Sequence, residues 1–100
     1  MSQASWVKDQ LLNQGANHFV IFSSLGQVLE SSGDFQDQEK QLLAYTIVQQ
    51  ASALLKSGET LKRISMTFDD VVYIATTITT HGENLGIFVK RPAADALTSI

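Results

Sequence analysis

The spacing of apolar residues along the chain changes several times, and each change predicts a new element. Spacings of three and four residues, which return to the same face of a helix, alternate with stretches that are apolar at every second position or throughout. The predicted elements are a helix over residues 3–13, strands over 18–23 and 27–30, a long helix over 35–56, and strands over 62–68, 71–79 and 85–90.

The strands over residues 18–23 and 71–79 are apolar on both faces. Such strands normally lie inside a sheet that is covered on both sides. The order α-β-β-α-β-β-β therefore predicts an α+β fold: a five-stranded antiparallel sheet with a long central helix on one face and a short N-terminal helix. We expect one domain over residues 1–100, with its core in 17–91 and a short tail over 92–100.

The long helix carries an apolar stripe and two further apolar residues beside it. We expect the stripe to be buried. Its residues are Leu43, Ala44, Ile47, Val48, Ala51, Leu54 and Leu55. Leu42 and Tyr45 fall outside the stripe, near Gln49. They are either scattered surface apolar residues, which are common, or a contact shoulder for a second molecule.

Charge and composition argue against several classes of function. The net charge is −3, and no basic run exceeds two residues, so we expect no nucleic-acid partner. The chain contains no cysteine, which excludes disulfides, thiolate metal sites and thiol catalysis. Its apolar runs are too short to span a bilayer, and we expect no direct membrane insertion. If the protein works at a membrane, we expect a partner to carry it there.

Gly33, between a strand and a helix, raises the question of a phosphate-binding loop. Such loops direct backbone N–H groups at an anion and usually include a lysine. Here Asp34, Asp37 and Glu39 follow the glycine, and their carboxylates would repel a phosphate. We therefore interpret Gly33 as the residue that lets the chain leave the strand, and Asp34 as the N-cap of the helix.

His18 and His81 do not indicate a catalytic or metal site. No spacing joins them to each other or to a pair of carboxylates, and no nucleophile motif occurs. We expect no catalytic residue, no metal and no cofactor. Ser65 follows Lys62 and Arg63 in the pattern that basic-residue-directed kinases prefer, so it is a candidate phosphorylation site. The alternative is a strand with two solvated cations, because such short patterns often occur by chance.

Several segments, taken in order, resemble a small subunit of the Ragulator complex. They are Gly26-Gln27-Val28-Leu29, Ser31-Ser32-Gly33-Asp34, Lys62-Arg63-Ile64-Ser65 continuing to Phe68, and Ile87-Phe88-Val89-Lys90-Arg91. That subunit belongs to the late endosomal/lysosomal adaptor and MAPK and MTOR activator set, in the roadblock/dynein-light-chain superfamily. The resemblance covers about residues 17–91, and the superfamily has the element order predicted above. The loop over residues 80–84 is longer than the resemblance implies.

The resemblance implies a scaffold rather than an enzyme. Roadblock domains pair side by side through their third strands and central helices. Here the implied strand edge is Leu61, Lys62, Arg63, Ile64, Ser65, Met66, Thr67 and Phe68, and the implied helix shoulder is Leu42, Tyr45 and Gln49. The implied partners are another roadblock-type subunit in a heterodimer, an extended lipid-anchored scaffold subunit, and Rag GTPases bound through the complex. The implied place is the cytosolic face of late endosomes and lysosomes, in amino-acid signalling to the MTOR kinase complex.

Two alternatives remain open. One is a homodimeric roadblock regulator of a small Ras-like GTPase, of the prokaryotic kind. The other is a small-molecule sensor on a profilin- or PAS-like sheet, for which the sequence offers no convergent set of polar residues.

Overall fold

The structure is a computed structural model that describes residues 3–53 and 63–93, including all of their side chains except those of residues 3 and 51–53. The predicted element order is confirmed, with one short 3-10 helix added. The elements are α1 (Gln3–Asn13), β1 (His18–Phe22), β2 (Val28–Ser32), the 3-10 helix (Gly33–Gln36), α2 (Gln38–Ala53), β3 (Ile64–Phe68), β4 (Val71–Thr80) and β5 (Glu83–Pro92).

The five strands form one antiparallel sheet in the order β2-β1-β5-β4-β3. The two strands predicted to be covered on both sides, β1 and β4, are both interior, whereas β2 and β3 are the edges. The pairing of β1 with β5 is the only one that joins distant parts of the described chain, because it sets His18 opposite Lys90. The α+β prediction is confirmed.

One helix lies on each face of the sheet, and the alternation of side chains along β1 serves both layers. Phe19 and Ile21 face α1, whereas Val20 and Phe22 face α2. We call these the α1 face and the α2 face. The buried core of the α1 face also contains Ala4, Val7, Ala16, Val72, Ile74, Leu85, Ile87 and Val89. That of the α2 face also contains Phe35, Ala44, Val48, Ala75 and Phe88.

The turn between β4 and β5 is shorter than expected. β4 continues to Thr80 and β5 begins at Glu83, and these two residues pair with each other. The turn consists of His81 and Gly82, with φ of 51° and 78°. Two successive positive φ values are typical of a type I′ hairpin, whose twist matches that of the strands. The prediction of a long loop over residues 80–84 was wrong.

The start of α2 also differs from the prediction. Asp34 does not cap α2, because residues 33–36 form the 3-10 helix and α2 begins at Gln38. The capping side chain is Asp37, whose Oδ1 accepts a hydrogen bond from the Glu39 N–H at 3.2 Å. The extra turn buries Phe35, whose ring meets Phe88 edge-to-face at 5.5 Å.

Two apolar side chains of α2 lie on a different side from the one predicted. Leu43 is 64% exposed, although it was assigned to the buried stripe. Tyr45, assigned to the surface, packs on Phe22 with ring centroids 5.2 Å apart. The buried side of α2 is centred on Ala44, whose small side chain brings the helix close to the sheet. Leu54 and Leu55 lie outside the described residues, as does the side chain of Ala51.

Candidate partner-binding surface

β3 is an edge strand of the sheet. Within the described residues it pairs with β4 alone, in an unbroken register from Ile64 opposite Ala75 to Phe68 opposite Val71. Leu61 and Lys62, which the resemblance assigned to the same edge, lie outside the described residues. An open edge of this kind is a template for pairing with another chain unless something guards it.

A row of four aromatic rings runs from the core of the α2 face to this edge. Phe35 meets Phe88 edge-to-face, and Phe88 stacks on Tyr73 with centroids 5.7 Å apart and planes at 28°. Tyr73 then meets Phe68 edge-to-face at 5.9 Å. The last ring, Phe68, is 58% exposed. The row therefore extends the apolar core into solvent at β3.

An apolar groove of about 370 Å³ lies between α2 and β3. We call it the α2–β3 groove. Leu43, Ala44 and Ile47 line it from α2. Met66, Phe68, Tyr73 and Phe88 line it from the sheet. Leu42, next to Leu43, is 67% exposed. Exposed apolar residues that stand together in this way are typical of surfaces that bind a partner.

The structure separates the residues of the predicted helix shoulder. Leu42 is exposed next to Leu43 in the chain, but none of Leu42, Tyr45 and Gln49 lines the α2–β3 groove. The Gln49 amide donates to the Tyr45 hydroxyl at 3.0 Å, and both side chains lie in a different depression near Phe22. Tyr45 also covers Gly26, where a Cβ would come within 2.6 Å of its ring. Whether these residues contact a partner remains a prediction.

Sequence reasoning missed Leu43 and Ile47 as groove residues because it treated the whole apolar stripe as core. One signal was present in the pattern. The stripe places the small Ala44 between bulky neighbours. When a helix packs on a sheet at an alanine, the larger side chains on either side of that alanine can lie outside the helix–sheet contact.

A polar cluster closes one end of the groove. Lys90 Nζ donates to Asp34 Oδ2 at 2.6 Å, and the Asp34 backbone N–H donates to His18 Nδ1 at 3.0 Å. The hydrogen bond from Lys90 lowers the pKa of Asp34, and the same bond raises the pKa of Lys90. The exposed Lys40 lies at the same end. We call the three bonded residues the His18–Asp34–Lys90 cluster.

This cluster ties three elements together, since His18 begins β1, Asp34 belongs to the 3-10 helix and Lys90 lies in β5. Gly33 fits against it with φ of 62°, and a Cβ there would overlap His18 Nδ1 and the Asn17 carbonyl oxygen. The His18–Asp34–Lys90 cluster therefore fixes the backbone at the junction of β2 and the 3-10 helix, and its polar groups bond to one another.

Neither histidine belongs to a candidate metal site in the described part of the chain. Among residues 3–53 and 63–93, no three His, Cys, Asp or Glu side chains are arranged to hold a metal ion. His81 is exposed at the β4–β5 turn. No helix in the described part of the chain has the length and apolar character needed to cross a membrane.

Comparison with known proteins gives matches at the level of structure. A structure of Myxococcus xanthus MglB superposes with a TM-score of 0.62 at 17% identity, over 84% of this chain and 70% of that chain. A second, described as MglB with tetrameric arrangement, gives a TM-score of 0.58 at 14% identity, over 87% and 68% of the two chains. The chain has the roadblock-type fold. No protein-family model matches the sequence. No curated protein matches it either.

Proposed function

We propose that this chain is a non-catalytic, roadblock-type platform that pairs with a second roadblock-type subunit through β3 and α2, and that the pair binds and regulates a small Ras-like GTPase. The α2–β3 groove carries this proposal. It joins an edge strand to the exposed Leu43 of α2 in one apolar surface, and a subunit placed edge to edge would cover that surface. Full burial of a side chain such as Leu43 or Phe68 contributes about 1.5–3 kcal/mol.

The two edges of the sheet differ in their suitability for pairing. At β2 the register with β1 shifts between Ile21 and Phe22, and α1 contacts the strand through Ser5 and Lys8, at 3.5 Å and 3.9 Å from Glu30. Irregular and partly covered edges resist pairing. β3 has a regular register and an apolar groove beside it. The favoured edge is therefore β3.

The comparisons favour a homodimeric regulator of the prokaryotic kind as the form of this platform. The matched structures are of MglB, and one of them is described as a tetrameric arrangement, so the fold occurs in assemblies. Both functional interpretations of the resemblance involve a small GTPase. The ten-stranded sheet made by two copies would carry both α2 helices on one face.

The sequence segments favour a second candidate, a Ragulator-type adaptor subunit. In that case the partner is a different roadblock-type subunit, an extended lipid-anchored subunit wraps the pair, and Rag GTPases bind through the complex. The chain would then work on the cytosolic face of late endosomes and lysosomes, in amino-acid signalling to the MTOR kinase complex. Gly26–Leu29, Ser31–Asp34 and Ile87–Arg91 support this candidate.

Sedimentation velocity of the purified chain separates the candidates. A concentration-dependent dimer that Phe68→Asp dissociates supports the homodimer, whereas a chain that is stable only when co-expressed with a Ragulator-type roadblock subunit supports the adaptor. A well-behaved monomer that binds neither itself nor such a subunit would contradict both.

The GTPase part needs its own measurement. GTP hydrolysis and nucleotide exchange by a purified Ras-like GTPase should change when the wild-type chain is added and should change less with Phe68→Asp. Equal rates with and without the wild-type chain, together with no binding in a pull-down, would overturn regulation while leaving the pairing proposal intact.

A further inference from the structure

The turn between β3 and β4 determines which backbone groups of β3 face the open edge. The closing pair is Phe68 opposite Val71. A two-residue turn normally joins such a pair through a hydrogen bond from the N–H of the last residue to the C=O of the first. Val71 is also opposite Pro92 of β5, which has no N–H to donate. Val71 therefore directs its backbone groups toward β3, as the turn requires.

Backbone groups alternate in direction along an antiparallel strand, so this pair determines the rest of β3. The backbone N–H and C=O groups of Ile64, Met66 and Phe68 form hydrogen bonds to β4. Ser65 and Thr67 direct their N–H and C=O groups to the open edge. Side chains alternate as well, which puts the first three on the α2 face and the other two on the α1 face.

We propose that β3 pairs with β3 of a second copy of this chain, antiparallel and in a register centred on Met66. The inference rests on the edge-to-edge pairing proposed above and adds its register and its partner. On the α2 face, Ile64 lies opposite Phe68 of the second copy, and Met66 lies opposite Met66. On the α1 face, Ser65 lies opposite Thr67, and the two exchange hydrogen bonds. Apolar residues meet apolar residues on one face, and hydroxyls meet on the other.

Charge gives a second, independent argument for this register. Arg63 precedes the strand and Asp69 follows it, and both are exposed. They are six positions apart along the strand, or about 20 Å in one chain, which is too far for an ion pair. In a dimer centred on Met66, Arg63 of each copy lies opposite Asp69 of the other, so the two-fold axis makes this opposite-charge pair twice.

Neighbouring registers lose this match. Centring the dimer on Ser65 sets Arg63 opposite Thr67 and moves Phe68 past the apolar residues of the second strand. Centring it on Thr67 sets Ile64 opposite Asp70. A slip by a single residue is worse, because it turns every side chain of one strand to the wrong face. Among the registers compared, the edge of β3 is therefore self-complementary only in the one centred on Met66.

The chain contains no cysteine, so single-cysteine variants report the register directly. Residues directly opposite each other fall within reach of a disulfide, whereas residues offset by two positions are about 7–8 Å apart. We expect Met66→Cys to form a covalent dimer under mild copper-phenanthroline oxidation, and the matched controls Ser65→Cys and Thr67→Cys to remain largely monomeric on a non-reducing gel. Efficient crosslinking of either control instead of Met66→Cys would overturn the Met66 register.

Charge reversal supplies a test that needs no substitution at Met66. Arg63→Asp and Asp69→Lys should each raise the dimer Kd, by about tenfold, and the double variant should return it close to the wild-type value. Failure of the double variant to recover affinity contradicts the register. Sedimentation of the wild-type chain distinguishes failure of the homodimer from failure of the register. A wild-type monomer refutes the homodimer itself, whereas a wild-type dimer with a different crosslinking pattern refutes the register alone.

Discussion

The contacts among His18, Asp34 and Lys90 show how single residues hold the groove in shape. His18 Nδ1 accepts a hydrogen bond from the Asp34 N–H at 3.0 Å. The carboxylate of the same aspartate accepts from Lys90. Asp34 thus links the first strand to the fifth through its backbone and its side chain at once. Because Phe35 is the next residue, this link also positions the buried ring that begins the aromatic row.

The pairing of Asp34 with Lys90 predicts a particular dependence of stability on pH. The pKa of Asp34 is lowered in the folded chain, so its contribution is present above the unfolded value of 3.8 and is lost as the pH falls through the lower folded value. We therefore expect the difference in unfolding free energy between wild type and Asp34→Asn to shrink as the pH is lowered from 6 to about 2.5. Urea denaturation followed by circular dichroism at several pH values measures it.

A second variant controls for the loss of the carboxylate itself. Lys90→Met removes the partner and leaves Asp34 in place, so it should flatten the same part of the pH profile. A difference between wild type and Asp34→Asn that stays constant across this range would contradict the proposed pairing. At alkaline pH the dependence runs in the opposite direction. The pKa of Lys90 is raised in the folded chain, so its contribution to stability is present below the unfolded value of 10.5 and is lost as the pH rises through the higher folded value.

At the scale of elements, α2 divides its apolar residues between two tasks. Ala44 and Val48, 1% and 6% exposed, pack on the sheet. Leu43 is exposed and lines the α2–β3 groove beside β3, whereas Leu42 is exposed outside that groove. A helix with exposed apolar residues beside its buried stripe is typical of one that packs against two neighbours, and the chain supplies only one of them among its described residues.

This division predicts opposite effects for two substitutions in α2. Val48→Ala should lower the unfolding free energy by about 1–2 kcal/mol, because it leaves a cavity in the core, and should leave the dimer Kd nearly unchanged. Leu43→Ser should raise the dimer Kd and change the stability of the monomer by less than about 0.5 kcal/mol. Denaturation at protein concentrations well below the dimer Kd measures the stability of the monomer, and sedimentation equilibrium measures the dimer Kd. A large loss of monomer stability in Leu43→Ser would show that Leu43 belongs to the core.

Most of the fold is predictable from periodicity, since each strand and helix has a clear local pattern. The errors occur where a tertiary contact overrides that pattern. Burial of Phe35 adds the 3-10 helix and moves the cap from Asp34 to Asp37, and the sequence contains no local sign of the ring that Phe35 meets. The pairing of β1 with β5 is equally non-local, although it determines which strands become edges.

The candidate surface was predictable only in part, and for a related reason. The pattern of β3 identifies a half-exposed strand, and the resemblance assigns it to an interface. Membership of Leu43 and Ile47 depends on how α2 is rotated over the sheet, which the packing of Ala44 and Tyr45 decides. A helical wheel shows which residues share a side but leaves open where the sheet ends beneath them.

At the scale of the whole molecule, the two sheet edges differ: β2 is irregular and partly covered, and β3 is open among the described residues. The β2 edge has an irregular register and contacts with α1, whereas β3 continues the ladder with no covering element in the described residues. The aromatic row and the α2–β3 groove end at the same open edge. The backbone groups of β3 that lack a hydrogen-bond partner strand and the exposed apolar side chains therefore lie at the same place. One partner bound there would pair the backbone groups and cover the apolar side chains.

Ser65 lies next to the central Met66 of this open edge strand, so charge at that position should control assembly. In the Met66-centred dimer the two Ser65 side chains lie on the α1 face about 7–8 Å apart, as diagonal neighbours. Ser65→Asp adds one negative charge to each, and their repulsion at this distance is on the order of 1 kcal/mol, or about a fivefold rise in dimer Kd. Phosphorylation, which adds more charge, should weaken pairing further. Ser65→Asn, of similar size and neutral, is the matched control in sedimentation equilibrium. Pairing of Ser65→Asp as tight as that of Ser65→Asn would mean that this edge is not the one that assembles.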